Sequence, residues 1–246
     1  MNITKLIGKV FSSRLKELRL YESQPQEIQD RVFRSLLKKA ENTEWGKMYD
    51  YKSIKTYEDF KSRVPLQTYE EVKPYVSRIR AGEQNLIWPS DIIWFAKSSG
   101  TTNDKSKFLP ISKESLKDIH YKGGQDVVTM YLENNPNSKF FSGKGLILGG
   151  SHSPNLSSNK SLVGDLSAIL IENINPLVNF IRVPSKKIAL MDEWEAKIEA
   201  LANTTINQNV TNLSGVPSWM LVLIKYILEK TGKTSLEEVW PNLEVF

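Results

Sequence analysis

The sequence predicts an α/β fold, in which strands alternate with helices along a chain of 246 residues. Two observations carry this prediction. Short runs of β-branched and aromatic residues, bounded by glycine, proline or serine, are typical of buried strands. The segments between them place apolar residues at the three- and four-residue spacing of amphipathic helices. Because the sequence has no internal repeat and no linker-like stretch, we expect residues 1–246 to form a single domain.

The first third of the chain is predicted to be mainly helical. Residues 1–16 combine apolar residues at helical spacing with four basic residues and no acid, and we interpret them as a packed first helix, not a targeting segment. A second helix over residues 25–40 would begin with a capping box formed by Ser23 and Gln26. Two further helices are predicted at residues 57–63 and 69–80.

Beyond residue 90 the predicted strands and helices alternate. The strands are expected at residues 91–96, 146–148, 178–183 and 209–213. The helices are expected to start near Ser112 and to cover residues 192–202 and 217–230. Residues 243–246 also resemble a strand, and we expect that they either complete a sheet or mark the front part of a longer protein.

Composition excludes several classes of protein. With no cysteine and two isolated histidines, the chain has no disulfide framework and no cysteine nucleophile, and a metal cluster is not expected. The net charge of +5 at pH 7 is mild, and basic residues alternate with acids, as at Glu195 and Lys197. This alternation predicts a solvated surface and no nucleic-acid partner. No apolar stretch approaches the roughly 20 residues of a membrane-spanning helix, so we expect a cytoplasmic protein with no membrane partner.

Residues 98–107 carry the clearest chemistry of the chain. They offer serine and threonine hydroxyls, backbone N–H groups made accessible by Gly100, and the ammonium groups of Lys105 and Lys107, which together suit a phosphate. The segment would lie between the strand at 91–96 and the next helix, where open α/β sheets bind ligands. A surface turn rich in serine and threonine is the alternative that composition alone leaves open.

Two better-known nucleotide motifs do not fit this sequence. No segment has the spacing of a Walker phosphate loop. A dinucleotide-binding fingerprint is imitated by Gly143, Gly145, Gly149 and Gly150. These glycines lie before and after the strand at 146–148, whereas the glycines of a true fingerprint follow a strand and open a helix. We interpret these glycines as turns at the ends of that strand.

Residues 95–102, with the sequence FAKSSGTT, and residues 107–110, with the sequence KFLP, resemble the first nucleotide-binding motif of a known family. This family is the auxin-responsive acyl acid amido synthetases, or Gretchen Hagen family, within the acyl-adenylate-forming superfamily. The surroundings are similar to its bacterial members at residues 42–46 (NTEWG), 60–65 (FKSRVP), 68–70 (TYE), 82–83 (GE) and 214–219 (SGVPSW). The resemblance runs from about residue 24 to the end of the chain.

The resemblance implies the N-terminal portion of the large domain of an acyl-adenylate-forming enzyme, with mixed sheets and flanking helices. It implies an enzyme that uses ATP with Mg²⁺ to activate a carboxylic acid as an acyl-adenylate, which the amine of an amino acid then attacks. The later nucleotide motifs and the small C-terminal domain of the family are expected beyond residue 246, so we expect a truncated chain that is inactive alone. An acyl-CoA ligase and a non-catalytic fragment acting as an interaction protein are the alternatives.

The resemblance also assigns site residues. Those expected to hold the ATP phosphates are Ser98, Ser99, Gly100, Thr101 and Thr102. Lys107 is expected to be catalytic, because its charge would meet negative charge developing on the phosphates. The acid pocket is expected to include Tyr121, Gly123 and Trp219. Adjacent glycines at 123 and 124 destabilise a helix, so either close helix packing or room for a ligand should compensate.

Overall fold

The computed structural model describes residues 3–98 and 106–246, which form helices around two three-stranded sheets. The strands are β1 (Trp94–Lys97), β2 (Phe108–Ile111), β3 (Lys144–Leu148), β4 (Leu162–Gly164), β5 (Arg182–Val183) and β6 (Val210–Gly215). The α-helices are Ile3–Phe11, Ser13–Ser23, Pro25–Ala40, Glu44–Met48, Tyr57–Arg63, Tyr69–Arg80, Lys122–Asn134, Leu166–Asn173, Lys186–Ala189, Trp194–Thr205, Pro217–Thr231 and Leu236–Val239. This arrangement confirms the predicted α/β class. None of the described helices is long and apolar enough to cross a membrane.

The chain divides by its contacts into two compact units. The first, called here the loop unit, comprises residues 15–123 and 154–163. The second, called here the parallel-sheet unit, comprises the residues up to 14 together with 124–153 and 164–246. Each unit contains its own cluster of buried apolar side chains.

The loop unit is built on a sheet with the strand order β2-β1-β4, in which β1 and β2 are antiparallel. Helix Tyr69–Arg80 contributes Val76 and Ile79 to the core, where they join Phe95 of β1. Phe95 and Ile79 are 0% and 1% exposed. The buried strand predicted at residues 91–96 is present in part, as β1, because residues 91–93 lie outside any strand. The sheet thus fixes the end of β1 at Lys97 beside β2.

Several helices of the loop unit have the predicted bounds. Helices Tyr57–Arg63 and Tyr69–Arg80 match the predictions at both ends. Each begins with a capping box, in which a threonine at the N-cap pairs with an acidic residue three positions later. The pairs are Thr56 with Asp59 and Thr68 with Glu71.

The capping box predicted from Ser23 and Gln26 is wrong. Helix Pro25–Ala40 does form, but its N-cap is Gln24, which makes no side-chain capping bond. Ser23 still belongs to the preceding helix, where its hydroxyl donates to the carbonyl oxygen of Arg19 at 3.0 Å. The Ser23 hydroxyl therefore binds within helix Ser13–Ser23 and does not cap helix Pro25–Ala40.

Residues 42–46 span the tight junction between helices Pro25–Ala40 and Glu44–Met48, and Thr43 caps the second helix. Thr43 Oγ1 accepts a hydrogen bond from the N–H of Gly46 at 2.9 Å and donates to the carbonyl oxygen of Ala40 at 2.7 Å. A Cβ atom on Gly46 would lie 2.0 Å from that same Ala40 oxygen. The carboxylate of Glu44 pairs with the Arg78 guanidinium at 2.7 Å, and this hydrogen bonding lowers the pKa of Glu44. The NTEWG motif is therefore structural, and position 46 admits only glycine.

The parallel-sheet unit has the strand order β5-β3-β6, and both outer strands run parallel to β3. The chain passes from β3 to β5 on one side and then crosses to β6 on the other. Helices Trp194–Thr205 and Pro217–Thr231 pack against the sheet. The most deeply buried side chains of this core include Leu146, Leu201, Val210, Leu223, Ile227 and Trp240.

Two strand predictions in this unit need correction. Of the strand expected at residues 178–183, only β5 forms, because Pro176–Phe180 adopt a 3₁₀ turn. The Asn175 side chain caps this turn by accepting from the N–H of Leu177 at 3.0 Å. Residues 243–246 form no extended strand, although one parallel bridge joins Val245 to Asn212 of β6. The predicted strands at 146–148 and 209–213 are present as β3 and β6.

Candidate functional site

Residues 98–107 connect the two antiparallel strands β1 and β2. Two hydrogen bonds close this connection: the N–H of Ser98 donates to the carbonyl oxygen of Lys107, and the N–H of Lys107 donates to Ser98 Oγ, each at 2.9 Å. The predicted turn from a strand directly into a helix is therefore wrong. The strand β2 was missed because it has four residues and contains Pro110, which lacks a backbone donor. Of the predicted phosphate ligands, Ser99, Gly100, Thr101 and Thr102 lie outside the described residues.

A positively charged cleft lies beside the ends of this connection. Its described lining includes four cationic side chains, Lys73, Arg80, Lys97 and Lys107, and a single acidic one, Glu70. Glu70 pairs with Lys73 at 2.9 Å, which leaves the other three cations to set the charge of the cleft. An excess of one sign of charge in a cleft attracts ligands of the opposite sign. The cleft therefore suits an anion.

Helix Tyr69–Arg80 fixes the start of β2 beside this cleft. The hydroxyl of Tyr69 accepts a hydrogen bond from the N–H of Phe108 at 2.9 Å. The guanidinium of Arg80 lies 3.9 Å from the centre of the Phe108 ring and donates to the carbonyl oxygen of Leu156 at 3.0 Å. Lys107 Nζ lies 5.5 Å from the centre of the Tyr69 ring, within the range of a cation–π contact. These contacts hold Lys107 at the edge of the cleft.

Sequence reasoning found Lys107 but missed Arg80 and Lys97. Lys97 immediately precedes the serine pair of the motif, so proximity in sequence could have indicated it. Arg80 comes from a different element, and only the packing of helix Tyr69–Arg80 on β2 brings it to the same cleft.

The hydroxyl of Ser98 has a structural role in addition to its predicted one. Its oxygen accepts from Lys107, while its own proton can still be donated to a ligand. We expect Ser98→Ala to cost about 1 kcal/mol through loss of this bond and to speed hydrogen exchange at the Lys107 amide. The measurement is amide exchange followed by NMR, with Ser106→Ala as a control that leaves the bond intact. Unchanged exchange at Lys107 in Ser98→Ala would contradict this role.

Tyr121 and Gly123 lie where the helix after β2 changes its geometry. A π-helical segment, Ser115–Tyr121, precedes helix Lys122–Asn134. A Cβ atom on Gly123 or Gly124 would meet no described atom within 4 Å, so close helix packing does not explain this glycine pair. Gly124 is exposed, and π-helical turns are frequent at functional sites.

Trp219 lies in the first turn of helix Pro217–Thr231, just after β6 ends. Its ring is half-buried and packs against Trp194, with 5.7 Å between ring centres. The side chain therefore contributes to the core of the parallel-sheet unit while part of it stays accessible. The structure places it at the carboxyl end of the parallel sheet, where α/β proteins bind ligands.

No three histidine, cysteine, aspartate or glutamate side chains converge on a common point in the described parts of the chain. Mg²⁺ prefers carboxylates combined with substrate phosphates and water. The described residues do not form a magnesium cage of their own, and we assign no step to a contact between Mg²⁺ and this chain.

Comparison with known proteins agrees with the predicted family. Residues 14–246 match the GH3 family N-terminal domain. The chain is 33% identical over 111 residues to indole-3-acetic acid-amido synthetase GH3.2 of Arabidopsis thaliana, which covers 44% of this chain and 20% of that protein. It is 32% identical over 90 residues to a probable indole-3-acetic acid-amido synthetase GH3.2 of Oryza sativa subsp. japonica, which covers 36% of this chain and 15% of that protein.

The fold is shared with a solved structure, that of GH3.15 acyl acid amido synthetase, at a TM-score of 0.70 and 23% identity. This likeness covers 88% of the present chain and 38% of the solved one, so the chain corresponds to well under half the length of such proteins. The predicted mixed α/β fold is thereby confirmed, and it matches the N-terminal part of that amido synthetase. Because the family match extends over residues 14–246, the chain belongs to the GH3 family.

Proposed function

We propose that this chain is the phosphate- and acid-binding part of an acyl acid amido synthetase, an ATP-dependent ligase. The observation that carries the proposal is the connection between β1 and β2, closed by Ser98 and Lys107 beside a cleft whose described lining is rich in cations. The names of the relatives support the class of reaction, since they are amido synthetases of acyl acids. The substrates would be ATP, a small carboxylic acid and an amino acid.

The reaction has two steps. A carboxylate oxygen attacks the α-phosphorus of ATP and pyrophosphate leaves; the amine of the amino acid then attacks the acyl carbon, AMP leaves and the nitrogen loses a proton. A carboxylate is already a nucleophile and pyrophosphate already a leaving group, so the first step needs positioning and charge neutralisation more than acid or base catalysis. Mg²⁺, arriving with ATP, would neutralise part of the phosphate charge.

The residues of this chain would supply the remaining charge neutralisation and the positioning of the substrates. Lys107 would stabilise charge developing on the phosphates, and Arg80 and Lys97 would extend the same positive field. The hydroxyls of Ser98, Ser99, Thr101 and Thr102 would donate to phosphate oxygens, and Gly100 would let the backbone approach them. Tyr121, Gly123 and Trp219 would line the acid pocket.

The remaining expectations from the sequence belong to the same proposal. Residues 1–246 would form one domain, the N-terminal part of the large adenylation domain, in a cytoplasmic enzyme of bacterial type. It would have neither a nucleic-acid nor a membrane partner.

Competition between anions tests the proposal. If this chain mainly recognises phosphate charge, pyrophosphate should displace ATP, and AMP should bind about tenfold or more weakly, because it loses charge-assisted hydrogen bonds. Isothermal titration of the chain with MgATP, magnesium pyrophosphate and AMP gives the three affinities. Equal affinity for AMP and ATP, or no competition by pyrophosphate, would contradict a phosphate-binding role.

The chain alone is expected to be catalytically inactive. The resemblance places the ribose, adenine and acceptor contacts of the family beyond residue 246, so transition-state stabilisation would be incomplete. The measurement is exchange of labelled pyrophosphate into ATP in the presence of a panel of carboxylic acids. Robust acid-dependent exchange by the 246-residue chain would refute this expectation.

A further inference from the structure

The turn at residues 149–151 follows β3, the middle strand of the parallel sheet. Since the chain leaves β3 toward β5 and later returns to β6 on the opposite side, the strand order reverses at this point. Ligands of open α/β sheets bind at the carboxyl ends of strands at such a switch point. Leu148 of β3 pairs with Gly215 of β6, so the turn and the start of the Trp219 helix share this edge of the sheet.

A buried lysine lies against this turn. Lys197, on helix Trp194–Thr205, is 2% exposed, and its Nζ donates to the carbonyl oxygens of Gly149 at 2.8 Å and Gly150 at 2.9 Å. Burial lowers the pKa of Lys197, while the charges of Asp165 and Asp192 act in the opposite direction. The prediction that this part of the chain forms a solvated charged face is therefore wrong for Lys197, although Glu195 is exposed.

Other polar groups of the turn are held as well. The N–H of Gly150 donates to Ser167 Oγ at 2.8 Å, and the N–H of Ser151 donates to Asp165 Oδ2 at 3.2 Å. The carbonyl oxygen of Ser151 accepts from the N–H of Asp165 at 3.0 Å. A Cβ atom on Gly150 would lie 2.0 Å from Asp165 Oδ2, so the turn packs tightly against these residues. Five backbone groups of three consecutive residues are thus bonded into one geometry.

We propose that Lys197 is a positioning residue for the carboxylic acid substrate, acting through the turn at residues 149–151. The lysine orients the carbonyl groups of the turn inward, so that the half-buried Ser151 is presented at the ligand edge of the sheet. A buried ammonium is costly compared with an apolar side chain of similar size. An apolar residue here would leave the buried carbonyl oxygens of Gly149 and Gly150 without a donor, so the lysine fixes the geometry of the turn at this binding edge. This inference rests on the proposed function.

The test compares Lys197→Met with a control variant, Lys225→Met. The Lys225 side chain is 79% exposed and belongs to the same unit, so the control removes one charge at the surface. Affinities for indole-3-acetate, benzoate and MgATP are measured by NMR titration of each ¹⁵N-labelled chain, together with the unfolding midpoint. We expect Lys197→Met to bind the acids about tenfold or more weakly and to exchange the amides of Gly150 and Ser151 faster. MgATP affinity should be unchanged, because the connection between β1 and β2, which is proposed to bind the phosphates, belongs to the loop unit and not to the unit that holds Lys197. Parallel losses of acid and MgATP affinity would indicate a general loss of structure and overturn the proposal.

Chemical rescue separates the ammonium from the packing. Because the chain has no cysteine, Lys197→Cys can be alkylated with 2-bromoethylamine in denaturant and refolded, which restores an ammonium at the same reach. Recovery of acid affinity in the alkylated variant supports the proposal. If the alkylated variant still binds the acids weakly, while the wild-type chain keeps its acid affinity through the same treatment, the proposal is contradicted. If Lys197→Met does not fold, Ser167→Ala removes one bond to the turn without removing a charge, and unchanged acid affinity in that variant overturns the proposal.

Failure of the proposed function gives a different result. If the unaltered chain binds neither acid, the acid site itself is refuted, and the role of Lys197 falls with it. If the acids bind and Lys197→Met retains their affinity, only the role of Lys197 is refuted.

Discussion

Gly46→Ala is expected to lower the free energy of unfolding by about 3 kcal/mol or more, because overpacking against an immobile group is among the costliest small substitutions. The new Cβ atom would lie 2.0 Å from the carbonyl oxygen of Ala40. That oxygen is backbone, and it also accepts the hydroxyl of Thr43 at 2.7 Å, so it cannot move aside without breaking the connection between two helices. Urea unfolding followed by tryptophan fluorescence measures the effect.

Gly124→Ala is the matched control for this substitution. A Cβ atom there meets no described atom within 4 Å, and the residue lies in helix Lys122–Asn134. Alanine should therefore raise the free energy of unfolding, by about 0.5–1 kcal/mol, through its better helix propensity. A similar loss of stability in both variants would contradict the steric explanation for Gly46.

Lys107→Ala is expected to weaken binding of ATP and pyrophosphate by the chain by about tenfold or more, the cost of losing a charge-assisted hydrogen bond. In a complete enzyme that carries this segment, acid-dependent exchange of pyrophosphate should fall by about two to three orders of magnitude, because the charge is most valuable in the transition state. Isothermal titration and exchange assays give the two values separately.

Lys113→Ala provides the control for Lys107. Its side chain is exposed and does not line the cleft, and its removal changes the net charge by the same amount. Affinity for pyrophosphate should be nearly unchanged in this variant. Equal, modest losses in the two variants would mean that the phosphates respond to a diffuse positive field and that the assignment of Lys107 is wrong.

The elements with strong local patterns could be predicted from the sequence. Helices Tyr57–Arg63 and Tyr69–Arg80 carry threonine caps and apolar spacing, and β3 is an apolar run between glycines. The strand β2 could not be predicted, since Pro110 disfavours a strand and only its pairing with β1 makes one.

The candidate site was predictable only where its residues are close in sequence. Lys107 belongs to the same motif as Ser98, whereas Arg80 reaches the cleft because its helix packs on Phe108. Lys197 shows that charge alone misleads about burial. Its alternation with Glu195 and Glu199 predicts a solvated surface, yet helical spacing puts Lys197 on the same face as the buried Leu201. The lysine is buried there because its ammonium donates to the turn at residues 149–151.

The central claim is that the connection between β1 and β2 binds the phosphates of ATP. The most direct test is titration of the ¹⁵N-labelled chain with MgATP, with every backbone amide followed by NMR. We expect the largest shift changes at residues 97–108, reproduced by pyrophosphate and strongly reduced in Lys107→Ala. Changes confined to other parts of the chain, or none at saturating MgATP, would contradict the claim.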